Sequence, residues 1–239
     1  MAEEGDALDL DRAPEGFHLD FDGGEIVEAD GGTAGSGTLY VNFHHAALAT
    51  AAADLVTAAV VLPPAWAIGV TANGTVTQEK PNVWKAENTI QLGGQEVTGH
   101  FTVAWVGIGW LAEMRVSSDD LDHALWFNGF LAYGGGLGWW DFYDDGQLVG
   151  VVEWIADGQG NAQFGMAALA GDAAGSVLSY AFTAADTARV DFHDGVTGED
   201  SWVALAADRS GEVRLPNYNQ GEAACWDVAF LNTECAIIE

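Results

Sequence analysis

Short segments of β-type sequence recur along most of this chain, and turn dipeptides separate them. Such dipeptides supply the positive φ angles that tight hairpins need. They are Asn73-Gly74, Gly93-Gly94, Asp145-Gly146, Asp157-Gly158, Asp194-Gly195 and Ser210-Gly211. The segments follow one another at intervals of about 8–12 residues, which is typical of a sandwich or barrel and not of βαβ units. We therefore predict a mainly β fold, an antiparallel meander of about 10–12 strands that forms a full or partial barrel.

One stretch, residues 45–62, has helical composition instead. It is rich in Ala and Leu, and its polar residues Thr50, Asp54 and Thr57 lie on one stripe of a helix. The rest of its surface is apolar, so we expect the β structure to bury this helix, with Leu48, Leu55 and Val56 facing the strands. Pro63-Pro64 ends it. Asp54 lies at its centre, which argues against a transmembrane segment.

The sequence predicts one folded domain after an acidic tail. Residues 1–15 carry six acidic side chains and a single Arg12, which is typical of a solvated tail. No apolar stretch of the signal-peptide type occurs in residues 1–16, so we expect no signal peptide there. Residues 16–239 contain no Pro-rich linker and no exact repeat, and we assign them to a single β-rich domain that includes the helix 45–62.

The charge balance indicates habitat and excludes some partners. The chain has 36 acidic and 7 basic residues, a formal net charge of −29. Such a chain repels itself at low salt and is screened at high salt, where the Debye length is about 3 Å at 1 M. This composition is typical of proteins from salt-adapted organisms; an acidic secreted protein or a cation-binding protein is the alternative. No basic stripe is present to neutralise phosphates, so we expect no nucleic acid partner and no anionic membrane surface.

Ten tryptophans lie at nearly one per predicted strand. Large aromatic residues beside small ones can fill a β interior completely, or they can leave a cavity for an apolar ligand. If such a cavity exists, we expect it to be lined by residues of the helix and of the strands. The candidates are Leu48, Leu55, Trp105, Trp110, Trp126 and Trp154.

No pattern in the chain predicts a catalytic residue, a metal site or a cofactor. The six histidines are scattered without zinc spacing. The segment 141–146 (DFYDDG) resembles a calcium loop only superficially, and a hairpin turn with solvated carboxylates explains it better. Ser201 follows Asp200 and is close in sequence to His193, but three such residues form a triad only through geometry.

Two cysteines, Cys225 and Cys235, lie ten residues apart near the C-terminus. Their spacing favours a disulfide that closes a small terminal loop, and two unpaired thiols are the alternative.

Several segments together resemble an uncharacterised group of secreted bacterial lipoproteins that end in a CWD sequence, a short loop and a final Cys. The segments are GFHLDFDGG, WLAEMRVSSDDLDHALWFNG, WWDFYDDGQ, LPNYNQ and GEAACWDVAFLNTEC, with the Ala-rich helix that ends in Pro. The resemblance implies a secreted or envelope location and a Cys225–Cys235 bridge, and it brings no activity. Residues 1–16 hold neither the signal peptide nor the lipid-acceptor Cys of that group.

The sequence therefore predicts a non-enzymatic extracytoplasmic protein of a salt-adapted organism that binds an apolar small molecule, with the helix as lid or plug. One alternative is a structural or assembly subunit, such as a virus capsid or surface-layer protein of a halophile, which would be a homo-oligomer or have another assembly partner. A second alternative is a carbohydrate-active enzyme. A cavity of several hundred Å³ would favour the first, exposed apolar patches the second, and a cleft with convergent carboxylates the third.

Overall fold

In its described residues the protein is an antiparallel meander of fourteen strands in one sheet, in which each strand pairs with the next along the chain. The computed structural model describes residues 41–50, 69, 74–92 and 94–235. Residues 41–50 form the helix α1. The strands are β1 Thr75–Lys80, β2 Val83–Leu92, β3 Gln95–Trp105, β4 Gly109–Ser117, β5 Ala124–Ala132, β6 Leu137–Asp144, β7 Gln147–Ala156, β8 Ala162–Ala168, β9 Val177–Phe182, β10 Ala188–His193, β11 Asp200–Leu205, β12 Gly211–Arg214, β13 Ala224–Trp226 and β14 Asn232–Thr233.

The predicted mainly β meander is confirmed, but the sheet is not closed into a barrel. Within the described ranges β1 pairs only with β2 and β14 only with β13, so both are edges. After the helix 45–62, the strand segments that the sequence predicts are one at 66–72 and a series from 83–92 to 211–215, so they do not include β1, β13 or β14. All six residues of β1 are exposed and it lacks an apolar face, while β13 and β14 have three and two residues. The two last strands, β13 and β14, therefore contain too few residues to show a period-2 pattern.

One side of the sheet, the core face, carries the hydrophobic core because side chains alternate between the two faces of a strand. Phe127 is fully buried there and pairs with Met114 and Phe142 on its neighbours. A continuous row of buried cross-strand partners then runs from β7 to β12. It consists of Trp154, Phe164, Tyr180, Val190, Val203 and Val213. The opposite side, which carries Trp139, Asp191 and Trp202, is called the open face below.

Three tryptophans of the core face lie over a glycine on the adjacent strand. The pairs are Gly129–Trp140, Gly138–Trp154 and Gly211–Trp226. At each of these glycines a Cβ atom would overlap the indole ring of its partner. Large and small residues therefore alternate across neighbouring strands, and this explains how a single sheet accommodates so many indoles at close packing.

Helix α1 packs on the last strands of the sheet. Phe43 and Ala46 are buried against Val203, Val213 and Trp226, and the Phe43 ring meets the Trp226 ring edge-on at 5.8 Å. The part of the predicted helix at 51–62 lies outside the described residues, as do Leu55, Val56, Asp54 and Thr57.

The predicted orientation of the helix is wrong in its described part. Leu48, expected to face the strands, is 56% exposed, whereas Thr50, expected on the polar side, is only 1% exposed. The hydroxyl of Thr50 donates a hydrogen bond to the carbonyl of Ala46 at 3.0 Å. Because its polar group is satisfied within the helix, the short Thr side chain can be buried despite its hydroxyl.

The C-terminal loop anchors the helix. Cys225 and Cys235 form the expected disulfide, with their Cα atoms 5.2 Å apart. The side-chain amide of Asn42 donates to the carbonyl of Cys225 at 2.6 Å, and its backbone N–H donates to Oδ1 of Asn232 at 3.0 Å. Tyr218 donates its hydroxyl proton to Asn42 Oδ1. The bridge thus closes the loop that holds the first turn of α1.

The predicted acidic tail, residues 1–15, lies outside the described residues. Among the described residues, no helix is both long enough and apolar enough to cross a bilayer.

Candidate binding site on the open face

Four consecutive strands, β9 to β12, place a row of polar and aromatic side chains on the open face. The row is formed by successive cross-strand partners, so their side chains lie next to one another. It consists of Ser179, Asp191, Trp202 and Arg214. The alternation that buries Val190 and Val203 on the core face necessarily presents Asp191 and Trp202 on the other face.

These side chains line a shallow depression of about 320 Å³. Its wall also includes Val177 and Arg189, together with His193 and Asp200. The depression is open to solvent and is lined mainly by groups that can donate or accept hydrogen bonds. Its size is at the lower end of the range for small-molecule sites.

An ion pair over an indole ring fixes the centre of the depression. Arg189 and Asp191 lie two residues apart on β10, on the same face of the strand. Arg189 Nε lies 2.8 Å from Oδ2 of Asp191, and Nη2 lies 2.7 Å from Oδ1, so the pairing is bidentate. The guanidinium carbon is 5.0 Å from the centroid of the Trp202 ring, a cation–π distance. The hydrogen bonds that Arg189 donates to Asp191 raise the pKa of Arg189, so the arginine is charged throughout.

A second arginine borders the row and is held by an unusual turn. Arg214 donates from Nε to the carbonyl of Gly221 at 2.8 Å. Residues Asn219, Gln220 and Gly221 have φ values of 47°, 59° and 76°, so three consecutive residues adopt the left-handed conformation. Two of them are not glycine, and this conformation costs free energy for such residues. The turn directs the Gly221 carbonyl at Nε of Arg214. The two terminal nitrogens of Arg214 have no partner among the described side chains.

A histidine–carboxylate pair closes the other end of the depression. His193 Nδ1 lies 2.7 Å from Asp200 Oδ1, and the two residues are cross-strand partners on β10 and β11. In the neutral imidazole, a proton on Nδ1 that is donated to this carboxylate leaves Nε2 as a hydrogen-bond acceptor. Ser201 pairs instead with Phe192, and no hydrogen bond joins its hydroxyl to His193. The structure therefore brings together two members of the considered Asp200–His193–Ser201 set and not the third.

The depression is close to neutral in a strongly acidic protein. Two of the seven basic residues of the chain, Arg189 and Arg214, lie in it, and they oppose Asp191 and Asp200. The two arginines therefore reduce the repulsion that the net charge of −29 exerts on an anionic ligand at this place.

The residues predicted to line an apolar cavity do not line this depression. Trp154 is buried in the core cluster and Trp126 packs against that cluster. Trp105 and Trp110 face each other across the β3–β4 hairpin, with ring centroids 5.1 Å apart. Leu48 is exposed on α1, which packs on the core face of the last strands and not on the open face, and Leu55 lies outside the described residues.

Sequence reasoning missed four residues of the depression, Arg189, Asp191, Trp202 and Arg214. The segment ARVDFH carries a readable signal, since period-2 alternation places Arg189, Asp191 and His193 on one face of a strand. Their meeting with Trp202 and Arg214 depends on strand register, which the segment does not contain.

A second feature of the open face is an apolar patch on β4 to β7. Leu111, Phe130 and Trp139 are successive cross-strand partners, and Leu137 pairs with Ile155 beside them. Trp139 is 36% exposed and Ile155 is 51% exposed. Exposed apolar groups at this density are uncommon on a monomer surface.

Comparison with known proteins found no matching family model, no similar curated protein and no similar solved structure. In the part of the chain that the structure describes, no group of three or more His, Cys, Asp or Glu side chains is arranged to hold a metal ion.

Proposed function

We propose that the protein is an extracytoplasmic, ligand-binding protein of a salt-adapted organism, and that the depression on β9–β12 binds a polyhydroxylated ligand of the carbohydrate class without transforming it. The observation that carries this proposal is the bidentate Arg189–Asp191 pair held over the Trp202 ring. It provides planar hydrogen-bonding groups of fixed orientation beside an aromatic surface.

The chemistry of a sugar matches that surface. Each hydroxyl group both donates and accepts hydrogen bonds, so it can bridge the Asp191 carboxylate and a guanidinium. Sugar C–H groups carry weak positive polarity and pack on an indole, which is large, rigid and apolar. Because the Arg189–Asp191 pair already fixes two side chains, less rotamer entropy is lost when a ligand binds.

Binding rather than catalysis is favoured at this place. His193 has the carboxylate partner of a general base, but no described hydroxyl or thiol lies within hydrogen-bond reach of its Nε2. The polar lining also favours a hydrogen-bonding ligand over the apolar one expected from the sequence.

Two further features support the location and habitat. A disulfide forms and persists in oxidising compartments, which supports an extracytoplasmic protein. The net charge of −29 supports a milieu of high ionic strength, in which self-repulsion is screened.

The test is calorimetric titration with a panel of neutral oligosaccharides in about 1 M NaCl. We expect Trp202→Ala to weaken binding by about tenfold or more, the size of a lost aromatic stacking contact. Trp139→Ala is the matched control, because Trp139 is an exposed indole on the same face but outside the depression. Equal losses in the two variants, or no binding by the wild type, would contradict the proposal.

The apolar patch of Leu111, Phe130, Trp139, Leu137 and Ile155 supports a second candidate, an assembly subunit. In that case the wild type sediments as an oligomer in about 1 M NaCl, where charge repulsion is screened, and Ile155→Glu returns it to the monomer. A wild type that sediments as a monomer over the whole salt range excludes this candidate.

A further inference from the structure

At the opposite end of the open face from the depression, three adjacent strands bring together a carboxylate, an imidazole and a hydroxyl. Glu87 on β2 and His100 on β3 are cross-strand partners. Ser117 on β4 pairs with Thr98, two residues before His100 on the same face of β3. The three side chains therefore form a row across β2, β3 and β4.

The atoms of this row are connected in the order of a serine nucleophile with its base. Glu87 Oε2 lies 3.2 Å from Nδ1 of His100, and His100 Nε2 lies 3.2 Å from Oγ of Ser117. The carboxylate keeps the proton on Nδ1, so Nε2 accepts the hydrogen bond from the serine hydroxyl. A triad is recognised by this geometry and by these roles rather than by the order of residues in the sequence.

A second histidine completes the hydrogen bonding of the serine. His123 Nδ1 lies 2.7 Å from Ser117 Oγ, and the backbone N–H of His123 donates to the same oxygen at 3.2 Å. In the tautomer that directs the hydroxyl proton to His100, His123 Nδ1 is the donor of the 2.7 Å hydrogen bond. Both groups stabilise negative charge on Oγ as its proton leaves, and hydrogen bonds to a charged form favour that form.

A cation stands beside the serine. Arg115, the cross-strand partner of His100, donates from Nη1 to the carbonyl of His123 at 3.1 Å and from Nε to Glu113 at 2.7 Å. This holds the guanidinium next to the residue whose backbone and side chain both contact Ser117 Oγ. His123 itself has a φ of 50°, in the left-handed region, and this conformation turns its N–H toward the serine.

We propose that Ser117 is the nucleophile of an acyl-transfer site, with His100 as general base, Glu87 as its positioning residue and Arg115 as the group that stabilises the developing oxyanion. This activity goes beyond carbohydrate binding. The site lies on β2–β5 and shares no residue with the depression on β9–β12, so either proposal can fail without the other.

The reaction is balanced without a cofactor. Ser117 Oγ attacks the carbonyl carbon of an ester while its proton passes to His100 Nε2, and the carbonyl oxygen becomes an oxyanion beside Arg115. The C–O bond to the alcohol breaks, and His100 returns the proton to the leaving alkoxide. A water molecule then attacks the acyl-serine by the same route, releasing the carboxylic acid and restoring Ser117.

The surroundings indicate the substrate class. Ser117 is only partly buried, and His123, just before β5, is exposed. Because the serine lies on the accessible surface of a sheet, we assign the site to esters of short acids, such as acetyl groups carried on a larger molecule.

The test uses the intact protein with its disulfide, a fluorophosphonate probe and p-nitrophenyl acetate. We expect one phosphonylated residue, identified as Ser117 by tandem mass spectrometry, and no adduct in Ser117→Ala. Ser210→Ala is the control, because Ser210 lies in the β11–β12 turn and its hydroxyl donates to Asp208 Oδ1; it should label and hydrolyse like the wild type.

The Glu87→Gln variant distinguishes a loss of catalytic activity from a loss of stability. The Glu87 side chain is 63% exposed, so we expect this variant to keep the melting midpoint. We expect kcat for p-nitrophenyl acetate to fall by about a hundredfold, because the proton on Nδ1 of His100 is no longer fixed, while KM stays unchanged. Absence of an adduct on Ser117 in the wild type, or a wild-type kcat in Glu87→Gln, would overturn the proposal.

Discussion

The indole of Trp226 lies directly over Gly211 on the neighbouring strand, at a position where any Cβ atom would overlap the ring. The indole N–H donates to the carbonyl of Arg209 at 2.8 Å. Trp154 makes the same arrangement with Gly138 and donates to the carbonyl of Gly135 at 3.0 Å. Each tryptophan thus joins its strand to the hairpin turn that precedes the neighbouring strand, and glycine is the residue that makes room for it.

Gly211→Ala should destabilise the protein. The added methyl group forces Trp226 out of its rotamer, and overpacking of this kind costs about 1–3 kcal/mol. Gly165→Ala is the matched control, because Gly165 is also within a strand and its Cβ would meet only Glu153, at 3.8 Å. Urea unfolding should give the control an unchanged or slightly higher free energy of unfolding. Equal stabilities for the two variants would contradict the role of the glycine–tryptophan pairs.

Reduction of the disulfide should release helix α1. The loop closed by Cys225 and Cys235 supplies Asn232 and the Cys225 carbonyl, to which Asn42 is bonded. Closing a loop of this length stabilises a fold by about 3 kcal/mol on the chain-entropy estimate. Hydrogen exchange should therefore rise in α1 after reduction, while amides in the core of β5–β8 keep their protection. Unchanged exchange in α1 would show that the helix does not depend on the bridge.

The melting midpoint should rise with NaCl from low to molar concentration. A net charge of −29 destabilises the compact state by self-repulsion until ions screen it. NaCl also changes the free energy of burying apolar surface. A second series with tetramethylammonium chloride therefore serves as a comparison. A midpoint that stays flat or falls with both salts would remove the support for a salt-adapted protein.

Carboxylates in the turns should titrate below the ordinary value of 3.8. Backbone N–H groups of Val196 and Thr197 lower the pKa of Asp194, and hydrogen bonds from Ser210 lower the pKa of Asp208. A carboxyl whose pKa is lower in the folded than in the unfolded state stabilises the fold at pH values above its unfolded-state pKa. This contribution is lost as the pH falls through its folded-state pKa.

NMR titration of the side-chain carboxyl carbons measures these values. Asp141 provides the contrast, since burial raises its pKa above 3.8. A pKa for Asp194 or Asp208 equal to or above that of Asp141 would contradict the hydrogen bonding of the turns.

The order of the strands was readable from local sequence because a meander pairs each strand with its neighbour. Dipeptides such as Asp145-Gly146 and Asp157-Gly158 predict hairpin turns, and the glycine adopts a positive φ in both. Closure of the sheet depends on contacts between its first and last strands. No local pattern encodes those contacts, so the sequence predicts a full or partial barrel, and in the described residues the sheet is open with β1 and β14 as its edges.

The candidate sites were less predictable, for a reason that His100 illustrates. It lies 13 residues from Glu87 and 17 from Ser117 in sequence, so no motif of fixed spacing joins the three. Their meeting requires the register of both hairpins, and a shift of one residue in either would move a side chain to the core face. The predicted orientation of the helix was wrong for a different reason. Thr50 can be buried despite its polarity because its hydroxyl is hydrogen-bonded within the helix.

The location of the bound ligand is best measured by backbone amide NMR, with titration of the tightest oligosaccharide from the calorimetric panel. We expect the largest chemical-shift changes at Ser179, Asp191 and Trp202, and the indole N–H of Trp202 should shift with the same dissociation constant. The Leu111–Phe130–Trp139 patch should remain unchanged. Shift changes confined to that patch or to the core face, or no change at saturating ligand, would contradict carbohydrate binding at the β9–β12 depression.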